Sequence, residues 1–299
     1  MPVEALCAAI AGLRREVAEA RPLAGDASTR QFFRLHLSDG ATYVACLYPE
    51  GREHHARRDA ATQRWCLSAQ LPVPDLVDRW GRVVVSEDLG PADLATAHPP
   101  ASGLVAAILA AVGSFQRHAW RAAPNAPFDA RFLRRELAVF EAFATTGEAA
   151  SRTYLDGLAA RVARHPFCLV HRDFHVNNLH WDGSAVRAVD FQDLRGGPDT
   201  YDLVSFLRER GGRALIAEPA EICAEAAARL RWGVGWQDRF WECAAQRGLK
   251  VLGTFLRLVA AGRSGYGTLL PEARAASGEA LELLGAPGAL RRAVALAGL

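Results

Sequence analysis

Residues 167–178 read Phe-Cys-Leu-Val-His-Arg-Asp-Phe-His-Val-Asn-Asn, and residues 186–193 read Val-Arg-Ala-Val-Asp-Phe-Gln-Asp. Each block opens on a short apolar run of β type, Phe167–Val170 and Val186–Val189, and ends in a polar loop. A turn signal, Asp182-Gly183, lies between them. Two strands of this kind hold the His-x-Asp-x-x-x-x-Asn and Asp-Phe-x-Asp loops rigidly, opening on one side. Phosphoryl transfer needs an aspartate that takes or orients the proton of the attacking hydroxyl, and oxygen ligands that hold Mg²⁺ against the phosphates. Asp173 is accordingly assigned as the proton acceptor, Asn178 and Asp190 as the metal ligands, and His171 as a brace for the loop. A single loop Asp, His or Asn is more often a turn cap; the complete spacing has no such simple account.

Outward from this centre the chain changes character near residue 90. Before it, Val3–Ala20 has helical spacing at Leu6, Ile10, Leu13 and Val17. The β-type runs Gln31–Leu37 and Thr42–Tyr48 flank the hairpin signal Ser38-Asp39-Gly40. Glu53–Gln70 reads as a helix, and Leu76–Arg79 and Arg82–Glu87 as two further strands around Trp80-Gly81. After residue 90, Ser102–Arg121, Asp129–Thr145 and Ser151–Arg164 are helical in period, as is most of the chain from Tyr201 onward. A β-rich front and a helix-rich back define an α+β fold in two lobes, 1–90 and 91–299, with a cleft between lobes as the expected ligand site.

Bulk properties narrow the function class. The 299 residues carry a formal net charge of +2 and no clustered basic stripe, which does not favour nucleic-acid binding. Six scattered cysteines without a CxxC pair suit neither a zinc site nor a disulfide framework. The first twenty residues lack the continuous apolar core of a signal peptide, and the longest apolar run, Gly103–Gly113, is too short to span a bilayer. A cytoplasmic protein with no obligate protein partner is expected. Lys250 is the only lysine, so arginine does nearly all the cationic work.

The chain resembles the aminoglycoside phosphotransferase/choline kinase group of small-molecule kinases. Gly25–Arg34, Val170–Asn178, Asp190–Asp193, Gly197–Ser205 and Leu249–Arg257 with Gly265-Tyr266 look like the bacterial kinases of cell-wall amino sugars. The resemblance implies a protein-kinase-like fold, with a small β-rich N-lobe and a larger helical C-lobe. It also implies ATP and Mg²⁺ as cofactors. The implied reaction is phosphorylation of N-acetylglucosamine or N-acetylmuramate at the anomeric hydroxyl in peptidoglycan recycling. Asp26, Ala27, Ser28 and Thr29 would then lie over the triphosphate, and Ser86-Glu87-Asp88-Leu89 would form the hinge, with Glu87 and Leu89 meeting the nucleotide. The family's strand lysine has no counterpart in Tyr43-Val44-Ala45-Cys46-Leu47-Tyr48, so Arg30 or Arg34 is expected to supply the missing charge.

His175, Asn177, Gln192 and Asp193 flank the reaction centre and offer donors and acceptors to a sugar; satisfying loop backbone groups is an equal use for them. Asp202 is read as a helix cap or brace. Arg131–Leu137 reads as a solvated helix face, and Trp232, Trp236 and Trp241 as packing anchors. Three alternatives stay open. One is a kinase of another small alcohol, such as choline, an aminoglycoside or homoserine. Another is a non-catalytic sensor, given the absent lysine. The third is a metallohydrolase built on His171, Asp173, His175, His180, Asp190 and Asp193.

Overall fold

The computed structural model describes residues 2–23, 29–97, 101–144 and 148–299. They form two compact units, Met1–Pro91 with Val186–Gln192, and Ala92–Ala185 with Asp193–Leu299.

The first unit runs α1 (Pro2–Gly12), β1 (Val17–Leu23), β2 (Gln31–Leu37), β3 (Thr42–Leu47), α2 (Glu53–Ser68), β4 (Leu76–Trp80) and β5 (Val83–Glu87). The strands pair antiparallel in the order β1-β2-β3-β5-β4. Because side chains alternate across a strand, Leu35, Leu37, Ala45, Leu47, Val83 and Val85 share one face with Leu6 and Ala9 of α1. Cys46, Leu76 and Val84 take the other face, with Tyr48 just past β3, against Ala56 and Ala60 of α2. At the β2–β3 hairpin Gly40 adopts φ 88°, and the Asp39 carboxylate accepts from the Ala41 N–H at 3.1 Å.

The helix expected over Val3–Ala20 ends instead at Gly12, and Val17–Leu23 is an edge strand paired with β2. Arg14, at φ 52°, breaks the helix in the left-handed region. Leu13 and Val17 still pack on the same core as Leu6, so a helical and a helix-then-strand path satisfy one apolar pattern.

Further along come α3 (Ala101–Gln116), α4 (Ala130–Phe143), α5 (Ala149–Val162), β6 (Phe167–Val170), β7 (Leu179–Trp181), β8 (Val186–Ala188), β9 (Arg195–Pro198), α6 (Tyr201–Arg208), α7 (Pro219–Arg229), α8 (Trp236–Ala260), α9 (Leu270–Leu283) and α10 (Gly288–Leu296). All but β8 belong to the second unit. There β6 and β9 pair antiparallel, from Phe167 opposite Pro198 to Val170 opposite Arg195. Gly196-Gly197-Pro198 reads as a turn, which hides β9 in the sequence. Its glycine is needed for closeness: a Cβ on Gly197 would lie 2.7 Å from Val170 Cγ2 and 2.8 Å from the Phe128 ring.

Helix α8 runs through the core of this unit, burying Phe240, Cys243, Ala244, Leu249, Leu252 and Phe255, and packs on α4, α5, α6 and α9. Its tightest approach is at Gly253, where a Cβ would stand 2.5 Å from the backbone nitrogen of Phe140. Gly253→Ala is therefore expected to cost about 1–3 kcal/mol of stability by overpacking, despite alanine's better helix propensity. Urea unfolding should show a lower midpoint with an unchanged slope; an equal or higher midpoint would mean that α4 and α8 separate without cost.

Candidate active site

The expected site residues divide between the two units. In the second, the loop 171–178 follows β6 and is tied down from α6. Asp202, fully buried in the first turn of α6, accepts from the backbone N–H of His171 at 2.7 Å and of Arg172 at 2.9 Å. Burial pushes its carboxyl up, while the His171 ring and these two N–H groups act the other way. The N-cap of α6 is Thr200, so Asp202 braces the loop and not the start of its own helix. His171, buried, lies edge-on to Phe115 and Phe174 at 5.6 and 6.0 Å between ring centroids.

Arg172 sits at φ 80°, a left-handed conformation that costs a non-glycine residue about 1–3 kcal/mol. Its guanidinium forks to Asp193 at 2.8 Å and to Glu136 of α4 at 3.1 Å. Gln246 of α8 donates to the other oxygen of Glu136 at 3.0 Å. The face expected to be solvated thus hides Glu136, whose side chain is 10% exposed. Asp193 stays open, with 41% of its side chain exposed.

Asp173 meets two cations from α8. Arg247 Nη2 and Lys250 Nζ both stand 3.3 Å from its Oδ1. Burial opposes its ionisation, but Lys250, Arg247 and Arg172 outweigh it and hold the carboxyl well below the usual carboxylate range. Arg247 is buried, pairs with Glu209, donates to the Arg172 carbonyl and lies over the Tyr201 ring.

Asn178 donates its amide N–H to the Asp173 carbonyl at 2.9 Å. The buried His175 ring has its pKa driven well below the ordinary value, by burial first and Arg210 next, so it is neutral near pH 7. Its Nε2 is 3.4 Å from the Asn178 amide. Asn177 donates to Asp93 at 3.0 Å and accepts from Arg210 at 3.4 Å, so both ends of its amide are engaged.

In the first unit a second cluster gathers around Arg30. Arg30 Nη2 donates to Asp190 Oδ1 at 2.8 Å, and its Nη1 stands 3.9 Å from Asp59 of α2. The Tyr48 hydroxyl donates to Asp59 at 2.6 Å, and the Arg30 guanidinium lies 5.4 and 6.0 Å from the ring centres of Phe32 and Tyr48. Burial works against the charge of Arg30, but Asp190 raises its pKa and keeps it a cation. Asp190 has φ 62° and also accepts from Gln192. Arg34 is held elsewhere, by Asp88 at 2.6 and 3.0 Å and by the Gly90 carbonyl at 2.9 Å. Glu87 takes both arms of Arg187, each at 2.6 Å, and the Asp75 N–H. Leu89 follows β5 half-buried, and Thr29 is exposed. Asp26, Ala27 and Ser28 lie outside the described residues.

The donors offered by Asp190 and Asn178 are carboxylate and amide oxygens, the chemistry that Mg²⁺ prefers. Among the described residues no three His, Cys, Asp or Glu side chains gather as a metal cluster. Sequence reading missed Asp59, Tyr48, Glu136, Glu209 and Arg247, and it left Lys250 unassigned. The one usable signal was that Arg247 and Lys250 are three residues apart on a helix and therefore share a face. The tryptophans are packing groups: Trp232 is buried with its N–H on Gln116 at 3.1 Å, and Trp241 lies under Arg208.

A profile described as the phosphotransferase enzyme family, APH, matches residues 19–238. The N-acetylmuramate/N-acetylglucosamine kinase of Neisseria meningitidis is 29% identical over 274 residues, covering 79% of this chain and 77% of that one. The enzyme of the same name from Pseudomonas putida is 28% identical over 249 residues, covering 77% and 67%. Among solved structures, the macrolide 2'-phosphotransferase of Brachybacterium faecium covers 92% of this chain and 96% of its own, at 16% identity and TM-score 0.63. The amicoumacin kinase in complex with AMP-PNP and Ca²⁺ covers 92% and 93%, at 15% identity and TM-score 0.62. These two likenesses establish a protein-kinase-like fold.

Proposed function

This chain belongs to the phosphotransferase enzyme family and is a small-molecule phosphotransferase, and from that premise we propose that it transfers the terminal phosphoryl group of ATP to an amino sugar. N-acetylglucosamine or N-acetylmuramate is the proposed acceptor, at the anomeric hydroxyl, in cell-wall sugar recycling. The observation that carries the chemistry is Asp173: an ionised carboxylate on a loop fixed by Asp202, with one oxygen already occupied by two cations. It is built to orient a hydroxyl proton. The acceptor is inferred from the two kinases matched across more than three-quarters of this chain.

Asn178 and Asp190 are the proposed ligands of Mg²⁺, which when bound neutralises phosphate charge. Asp193, Gln192 and His175 are the proposed sources of polar atoms for the sugar. Thr29 and the preceding Asp26, Ala27 and Ser28 would cover the phosphates, and backbone groups near Glu87 and Leu89 would meet the base. An ATP donor also fits a cytoplasmic setting.

The test is incubation with ATP, Mg²⁺ and N-acetylglucosamine, N-acetylmuramate, glucosamine, choline or kanamycin, read by phosphorus NMR. An acid-labile anomeric phosphate is expected. Turnover confined to choline or kanamycin would discard the sugar and keep the chemistry; no turnover would favour the sensor.

Arg30 is the proposed stand-in for the strand lysine, since it joins Asp190 to the acid of α2 while Arg34 is held by Asp88. Arg30→Met should lower kcat/KM for ATP about 10²-fold. Arg34→Met should lower thermal stability more than turnover. The reverse pattern in steady-state kinetics would reassign the role.

A further inference from the structure

We propose that Lys250 is a positioning residue for phosphoryl transfer, its ammonium fixing Asp173 and cancelling that carboxylate's charge as the anionic phosphoryl group approaches. This rests on Asp173 acting as proton acceptor in the proposed reaction. An ionised carboxylate beside a triphosphate is repelled by it, so the site needs a cation that belongs to the carboxylate.

The nearby cations are not equivalent. Arg247 is already matched by Glu209, and its side chain is only 1% exposed. Arg172 divides itself between Glu136 and Asp193. Arg210 donates to Asn177. The His175 ring meets the Asn178 amide, at 3.4 Å. Lys250 pairs with Asp173 itself, at 3.3 Å, from a side chain 17% exposed.

Its place on α8 makes the contact dependable. The neighbours Leu249 and Val251 are buried, and Thr254 donates to the Lys250 carbonyl at 2.8 Å. Both α8 cations address Oδ1, so Oδ2 is the oxygen presented to the acceptor hydroxyl. An ammonium has three donors, and one of them serves Asp173. The catalytic loop brings a histidine two residues after its aspartate, and helix α8 brings the charge.

The sole lysine makes the test direct. Protein labelled with ¹³C at lysine Cε gives one such side-chain resonance, that of Lys250. Its chemical shift should move in Asp173→Asn protein, because the ammonium loses the carboxylate 3.3 Å away; an unmoved resonance overturns the pairing. In kinetics, Lys250→Met should lower kcat about 10²-fold with the acceptor KM within about threefold, and Lys250→Arg should return to within about tenfold of wild type. An unchanged kcat, or a raised acceptor KM alone, overturns the positioning role. If the unaltered enzyme phosphorylates no amino sugar, the acceptor reading fails, while the resonance still decides the pairing.

Discussion

Asp173→Asn protein is expected to fold and to lose phosphoryl transfer by about 10²–10⁴-fold, with nucleotide affinity changed little. The amide keeps the shape of the side chain but cannot take a proton. A large loss in kcat with nearly constant KM for ATP would show that Asp173 acts in the transition state and not in nucleotide binding. Equal activity would remove Asp173 from the reaction and with it the reading of the whole loop. The same variant has a signature in stability. Lys250, Arg247 and Arg172 outweigh burial and depress the carboxyl's pKa in the folded protein. A depressed pKa contributes stability that is present above the unfolded value and is lost as pH falls through the folded one. Wild-type protein should therefore lose more stability on acidification below about pH 4 than Asp173→Asn does, measured by urea unfolding at each pH.

Arg247→Met should be the most destabilising single change at the site. Arg247 and Glu209 have side chains 1% and 5% exposed and pair directly. Removing the cation strands a buried carboxylate, which typically costs about 3–5 kcal/mol. It also removes the donor to the Arg172 carbonyl and to Asp173, so the loop loses both of its ties from Arg247 of α8. Urea unfolding should show a sharply lower midpoint. Adding Glu209→Gln should recover part of the loss, because the stranded charge is gone; a further loss in the double variant would show that Glu209 stabilises the fold through other partners. Activity in the double variant should stay low, since the loop has lost both ties from Arg247.

The parts legible in sequence were those set by short-range rules. The Ser38-Asp39-Gly40 hairpin, the strand before His171 and the second strand before Asp190 each follow from a few adjacent residues. The loop residues Asp173 and Asn178 were singled out because their spacing is local. What escaped was long-range pairing. Glu136 meets Arg172 across 36 residues, and Arg247 and Lys250 meet Asp173 across 74 and 77. Those meetings depend on how α4 and α8 cross at Gly253, which no local pattern encodes. The α1–β1 boundary failed for another reason: Leu6, Leu13 and Val17 reach the same core by either path, so periodicity had nothing to separate. The absent strand lysine was legible and Arg30 was named as one candidate for its charge, but the contacts of Arg30 and Tyr48 with Asp59 needed the face of β3 and the placement of α2 together.

The placement of the lone lysine on α8 has a practical consequence for watching this protein move. A protease that cuts only after lysine has a single target bond, Lys250–Val251, inside a helix whose neighbouring side chains are buried. Cleavage there requires α8 to open, so the rate at which intact chain splits into two fragments reports the opening free energy of one helix without labels or variants. Ligands that engage Asp173 should slow that single cut, and a gel lane would suffice to rank them.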